Sequence, residues 1–436
     1  MTHAFRKRPS AATVSWCLFD FANSSYTTLI ITTAFALYFR QAVVNAPDNR
    51  ADQYWGIANN IAMLVLVAAS PFAGALADFS GRKKLCLILT TLPAVAATAL
   101  LYYVGPGDVA LAMTLFIIGT ICFEGGYVFY NAFLPDVSTP ETVGRVSGWG
   151  WAVGYAGGLL CMFLCRPWIS QDLKLASGEI NAAGVAAYQA SFLIVAAFYL
   201  VFAIPAFVWL REGAPQGTVR RWGEYAAIGL RRVGDTLRHL RNYRETAKYI
   251  LASIFFTDGI STVVLYAAPY ATVTFGFTNE ELVTLILINN LVALPGALVF
   301  GYVADWIGAR RTIILTLLLW VGVVVFGYLA ASKAMFWVMA AGASIGMGAT
   351  QAVGRSFMAQ ITPAARESEF FGFYVLSGKF ASAFGPLVFG TISRVTGSQR
   401  LAVLSLLPFF LLGLGFMLWI SEKRAIEVAS RETPVV

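Results

Sequence analysis

Five ionisable residues stand inside otherwise apolar stretches of this 436-residue chain: Asp20, Glu124, Asp258, Arg355 and Lys379. A charge held at mid-bilayer costs roughly 2.5–3.5 kcal/mol on the insertion scale, so each must face protein or water rather than lipid. Their chemistry would be recognition and proton transfer. Arg355 and Lys379 could attract a carboxylate, and an arginine can clamp one through two parallel hydrogen bonds. Asp20, Glu124 or Asp258 could hold an ammonium group, a proton, or each in turn. The two histidines, His3 and His239, lie outside the apolar stretches. Proton coupling would therefore fall to a buried carboxylate, with Asp20 the first candidate and Glu124 the second. Such a mixture of signs suits a small zwitterionic or anionic solute, amino acids foremost. The alternative for each residue is structural pairing between helices.

The neighbours of these charges fall at helical spacing. Asp20, Asn23, Ser24 and Thr27 occupy i, i+3, i+4 and i+7, and Asp258, Ser261 and Thr262 begin the same pattern. Glu124, Tyr127 and Asn131 form one stripe, and Gln351, Arg355 and Met358 form another. Gln351 follows Glu124 by 227 residues. The expected solute contacts are therefore Asn23, Glu124, Tyr127, Asn131, Asp258, Gln351, Arg355, Tyr374 and Lys379. Tyr127, Tyr130, Trp151 and Tyr374 would supply an apolar wall.

A second pattern obeys the same spacing. Gly74, Asp78, Gly81 and Arg82 return as Gly301, Asp305, Gly308 and Arg310, with 227 residues between the glycines and between the aspartates. The first glycine allows two helices to touch backbone to backbone. The aspartate ends an apolar run, the second glycine permits a tight reversal, and the cations anchor the turn at a membrane surface. These eight residues are expected to gate, pinning helix ends in one of two states. Two copies half a chain apart point to a carrier with related halves.

The elements that must hold these residues are membrane helices. The chain is 58% hydrophobic and 12% charged, against about 25% charged in soluble domains. Apolar runs begin near Val14, Tyr54, Leu85, Val109, Gly144 and Tyr188, then near Thr246, Leu282, Thr312, Met335, Phe370 and Leu401. Each can accommodate a span of about 20 residues. The basic start of the chain mimics a signal peptide, but the run over residues 14–39 is too long for a signal core. Of the 31 Lys and Arg residues, 22 fall in segments assigned inside and seven in segments assigned outside, which puts both termini in the cytoplasm. That placement explains the net charge of +8 without nucleic acid. Residues 1–210 and 247–436 form the two expected domains. Between them, residues 211–246 carry Trp222, Ala226, Gly229, Val233, Leu237 and Leu240 on one helical face and five arginines on others. This linker helix would lie on anionic headgroups, or serve a regulatory partner. The five cysteines sit in apolar runs without Cys-x-x-Cys spacing and read as small apolar fillers. No hydrolase elbow, phosphate loop or zinc cluster appears, so neither an enzyme nor a cofactor or metal protein is expected.

The paired Gly-Asp-Gly-cation segments resemble the loop signature of the major facilitator superfamily. Trp16-Cys17-Leu18-Phe19-Asp20-Phe21-Ala22-Asn23-Ser24, Phe129 to Pro135, Ser147 to Trp151, Gly154 to Gly158, and Glu369 to Tyr374 with Leu376 to Lys379 narrow it. Together they are similar to its vacuole-effluxer branch, which includes autophagy-related amino-acid exporters of fungal vacuoles and many bacterial proteins. The resemblance implies an all-α membrane protein of twelve transmembrane helices in two pseudo-symmetric six-helix bundles, with helices 1, 4, 7 and 10 around a central cavity. It also implies a monomeric, proton-coupled secondary exporter of a small-molecule solute working by alternating access. Short loops favour a bacterial inner-membrane member. A proline usual in the antiport motif of superfamily exchangers is absent from Gly154 to Gly158, so these glycines are expected to serve helix packing. An exporter of lipophilic compounds and a non-transporting receptor or scaffold are the alternatives.

Overall fold

The first long helix changes its winding at its middle, where two threonine hydroxyls bond back to the chain. The helix begins as α1 (Ala11–Ser25), where the Ser10 hydroxyl accepts the Thr13 N–H at 3.1 Å. It then widens into a π-helical stretch, Tyr26–Thr32. Thr32 and Thr33 donate their hydroxyls to the carbonyls of Thr27 and Thr28, five residues back. These bonds span the wider turn. A short α2 (Ala34–Tyr38) and a second π-helical stretch (Phe39–Val44) complete the first span.

The computed structural model describes residues 9–46, 50–212, 242–380 and 384–431, with Arg231, Gly234 and Arg238 between. Most of the expected linker helix, including Trp222, Ala226, Gly229, Val233, Leu237 and Leu240, lies outside the described residues. So do the side chains of Asn279, Val283, Lys379, Phe380 and Arg431. The chain continues through α3 (Arg50–Ser80), α4 (Lys83–Leu100), α5 (Val109–Ala132), α6 (Leu134–Val137), α7 (Val143–Ile169) and α8 (Ala182–Trp209). After the linker come α9 (Arg244–Phe275), α10 (Asn279–Ile307), α11 (Ala309–Leu329) and α12 (Lys333–Ile361). The last elements are α13 (Glu367–Phe380), α14 (Phe384–Thr396), α15 (Gln399–Leu404), α16 (Leu407–Trp419) and α17 (Glu422–Arg431). No strand occurs among the described residues beyond an isolated bridge between Lys174 and Ile180.

Ten helical segments among the described residues are long and apolar enough to cross a membrane. Two of the twelve expected runs fall outside that set. The run near Met335 lies on α12, which at 29 residues has the length but carries Gly342, Ser344, Gly346, Gly348, Gln351, Gly354 and Arg355. The run near Phe370 is described as α13 and α14, of 14 and 13 residues, on either side of residues 381–383, which lie outside the described residues. Leu64, Val273, Leu291 and Trp306 are all more than half exposed, as side chains facing lipid should be.

The chain separates into two units. The first comprises residues 1–70, 79–133 and 153–217, and the second residues 71–78, 134–152 and 218–436. In the first, α4 packs on α5 and α8, and α1 packs on α8. Trp16 anchors that core: its ring stacks on Tyr130 at 4.7 Å, and its indole N–H donates to the Tyr130 carbonyl at 2.9 Å. In the second, α10 packs on α12, α12 on α11, and α9 on α16. Small residues set the distance: a Cβ added at Gly296 would lie 2.7 Å from the Ile345 carbonyl oxygen.

Close approach in the first unit also brings α7 onto α1, where a Cβ on Gly157 would collide with the Phe21 carbonyl oxygen. Gly157→Val should therefore cost about 1–3 kcal/mol through overpacking, read as a lower thermal midpoint in detergent. Gly322→Ala, where nothing lies within 4 Å, should leave the midpoint unchanged or slightly raised.

Candidate functional site

Both signature aspartates hold the start of another helix within the second unit. Asp305, near the end of α10, accepts the Gly144 N–H at 2.7 Å and the Arg145 N–H at 3.1 Å. These are the first-turn donors of α7, which have no partner inside their own helix. The Arg145 guanidinium adds an ion pair, with Nε 3.4 Å from Oδ2. Asp78, near the end of α3, accepts the Ser368 N–H at 3.0 Å and the Glu369 N–H at 2.9 Å, both at the start of α13. A carboxylate there satisfies two orphan donors and meets the positive end of the helix dipole. Glycine makes each approach possible. A Cβ on Gly74 would collide with the Ser368 carbonyl oxygen, and one on Gly301 would lie 2.7 Å from the Gly144 oxygen. The partners repeat as well, since Ser368 follows Gly144, and Glu369 follows Arg145, by 224 residues. The residues that supply the second amide of each pair differ in sign. Arg145 neutralises Asp305, whereas the matching Glu369 is itself a buried carboxylate, 3.9 Å from Arg366.

The turns following the aspartates have the expected geometry. Gly81 and Gly308 take φ values of +66° and +95°, which side chains rarely tolerate. Arg82 occupies the N-cap position of α4. The cations close on helix C-termini, where carbonyls lack partners. Lys84 donates to the Leu210 carbonyl beyond α8 at 3.0 Å, in the first unit. Arg310 donates to the Met417 and Leu418 carbonyls of α16 at 3.0 and 2.9 Å, in the second.

Arg355 is 2% exposed on α12. Its Nε–H donates to the Ser147 hydroxyl at 3.0 Å, and Nη2 donates to the Ser147 carbonyl at 2.8 Å. Its guanidinium carbon lies 5.4 Å from the centre of the Trp151 ring. The Ser147 hydroxyl in turn donates to the Ala352 carbonyl at 2.6 Å. Tyr374 of α13 stacks on Tyr249, whose hydroxyl donates to the Gly354 carbonyl at 2.8 Å. Arg355, Trp151 and Tyr374 thus belong to the same unit, with Gln351 one turn from Arg355 on α12. Lys379 lies on α13, its side chain outside the described residues.

Asp258 is placed differently. It is 1% exposed on α9, and both its carboxylate oxygens lie 2.9 Å from the Gly385 nitrogen, whose N–H they accept at the start of α14. Its own carbonyl accepts the Thr262 hydroxyl at 2.7 Å. This carboxylate thus meets the first turn of α14 as described from Phe384.

The first unit holds the remaining candidates. Asp20 and Asn23 are buried on α1, and Glu124 and Asn131 are buried on α5. A Cβ on Gly154 of α7 would lie 3.5 Å from the Asp20 carboxyl carbon and 2.9 Å from the Ser24 hydroxyl. Tyr127 lies 5.7 Å from Tyr130, centre to centre. Sequence reasoning did not assign Ser147, the Gly144–Arg145 and Ser368–Glu369 amides, or Gly385. A signal existed for the amide pairs, because they repeat at nearly the spacing of the aspartates that they meet.

The sequence pattern of the family described as "Vacuole effluxer Atg22 like" matches residues 53–430. The chain is 28% identical over 420 residues to the MFS-type transporter YxiO of Bacillus subtilis, covering 96% of each protein. It is 25% identical to autophagy-related protein 22-1 of Aspergillus niger, covering 80% of this chain and 69% of that protein. The human organic anion transporter MFSD10 (TETRAN) superposes with a TM-score of 0.73 at 15% identity, covering 94% of this chain and all of that one.

Removing the Ser147 hydroxyl leaves the Arg355 Nε–H without that acceptor in a buried site. Ser147→Ala should cost about 1–3 kcal/mol, read as a lower thermal midpoint. Ser356→Ala, which loses only a bond to the Val353 carbonyl, should shift the midpoint less.

Proposed function

Since the chain belongs to the Atg22-like vacuole effluxer family, a family of transporters rather than enzymes, we propose that it exports a small zwitterionic or anionic solute, amino acids foremost, coupled to protons. On this reading the ten candidate spans, α12, and α13 with α14 make up twelve transmembrane helices. Residues 1–210 and 247–436 form the two halves, joined by the basic linker. The lysine and arginine imbalance puts both termini in the cytoplasm of a bacterial cell.

One observation carries the reading: the reciprocal pair of carboxylate latches. A carrier that exposes one site to each side in turn needs a contact strong enough to close one end and cheap enough to break. Asp78 and Asp305 supply it, because each latch rests on two charge-assisted hydrogen bonds whose donors water can satisfy on opening. Under the orientation above, the latched end is cytoplasmic. Arg355, oriented by Ser147 and Trp151, receives the solute carboxylate, with Lys379 as second cation and Gln351 and Tyr374 beside it. Within the first unit, Asn23, Tyr127 and Asn131 stay as proposed solute contacts. Asp20 carries the proton, with Glu124 able to share that task or hold an ammonium group. Asp258 acts through the helix start that it caps.

The latches and the coupling separate in proteoliposomes. Asp78→Asn and Asp305→Asn should change turnover roughly tenfold or more, the factor that 1.4 kcal/mol commands, with solute affinity within about twofold. The reverse pattern removes the latches from the gate. Under an imposed pH gradient, Asp20→Asn should abolish gradient-driven accumulation while counterflow of the same solute survives. Unchanged accumulation in both Asp20→Asn and Glu124→Gln defeats the proton-coupling part. Thermal stabilisation of the purified protein by amino acids or small carboxylates, and not by lipophilic dyes, is the expected result of a ligand screen.

A further inference from the structure

An open pocket of about 190 Å³ lies where α9 begins and α17 passes, lined by Asn242, Tyr243, Arg244, Glu245, Thr246, Arg424, Ala425 and Val428. Arg244 and Arg424 come from different helices, and both are exposed. Glu245, the acid in the lining, is already engaged: it accepts the Ser421 N–H at 2.7 Å and the Lys248 ammonium at 2.9 Å. The pocket therefore offers positive charge. It also opens beside the first turn of α9, whose N–H groups point out of the helix.

Its depth relative to the membrane follows from Trp419. That indole is 60% exposed at the end of α16, next to Leu418 at 59%. Large exposed apolar side chains at a helix end mark the edge of the hydrocarbon, and tryptophan prefers the headgroup level. Lys248 lies 4.6 Å and Arg244 5.6 Å from the Trp419 ring centre. Lys248 also donates to the Trp419 carbonyl at 3.2 Å, and Arg310 holds the adjacent Leu418 carbonyl. Apolar surface on one side and a basic cavity on the other is the profile of a phospholipid: acyl chains against Leu418 and Trp419, phosphate among the arginines.

We propose that this pocket binds the phosphate headgroup of an anionic phospholipid, held by Arg244 and Arg424 with Trp419 at the acyl boundary. The site needs only the membrane location and is independent of cargo and coupling. The same chemistry could come from free phosphate, but the flanking apolar surface favours the lipid.

Native mass spectrometry of the purified full chain with equal phosphatidylglycerol and phosphatidylcholine tests the site. Phosphatidylglycerol should be retained at least tenfold over phosphatidylcholine. Arg244→Gln with Arg424→Gln should bring retention down to the phosphatidylcholine level. The paired lysine variants should keep most of it, which separates lost charge from lost folding, and Arg394→Gln on α14 should change nothing. Equal retention of the two lipids, or full retention by the paired glutamine variant, overturns the proposal. Displacement of bound phosphatidylglycerol by millimolar inorganic phosphate would assign the pocket to a soluble anion and overturn the lipid; resistance to it supports the lipid.

Discussion

A carboxylate set against the exposed N–H groups of a helix start is the contact on which the second unit depends. It appears three times: Asp305 on α7, Asp78 on α13 and Asp258 on α14. An ionised side chain within an apolar setting is unfavourable unless donors surround it. Helix N-termini provide those donors already oriented, together with the positive end of a dipole. Each pairing solves two problems at once, because the first-turn amides also need acceptors. It is also a contact that water can replace, which distinguishes it from the interdigitated aromatic core around Trp16.

The remaining buried charges follow a related logic with different geometry. Arg355 sits under Trp151 and binds both the hydroxyl and the carbonyl of Ser147, so its planar head is fixed in orientation. A guanidinium so held keeps little rotamer freedom. Arg145 neutralises Asp305, whereas the repeat puts the acidic Glu369 beside Asp78. The two contacts share a backbone design.

Much of this was legible in the residues. The glycine at 74 and 301, the aspartate four positions on, and the glycine at 81 and 308 each announced a backbone demand, and the structure meets each of them through close approach or positive φ. The apolar runs announced twelve spans, and ten of them are, among the described residues, helices long and apolar enough to cross a membrane. Two runs were harder to read in physical terms. α12 carries small and polar residues that dilute its apolar character, and the run near Phe370 includes residues 381–383, which lie outside the described ones.

The sequence by itself determined which groups had to be satisfied: five charges in apolar runs, two aspartates at helix ends, and glycines where side chains could not fit. It did so because periodicity, hydropathy and backbone freedom are properties of neighbouring residues. Only the tertiary structure decided who satisfies them. Ser147 for Arg355, Gly385 for Asp258, and the paired amides for Asp78 and Asp305 lie between about 120 and 290 residues away in the chain. Backbone N–H groups are present at almost every residue, so no residue type marks the ones that will serve. Packing selects them by bringing particular helix starts within reach.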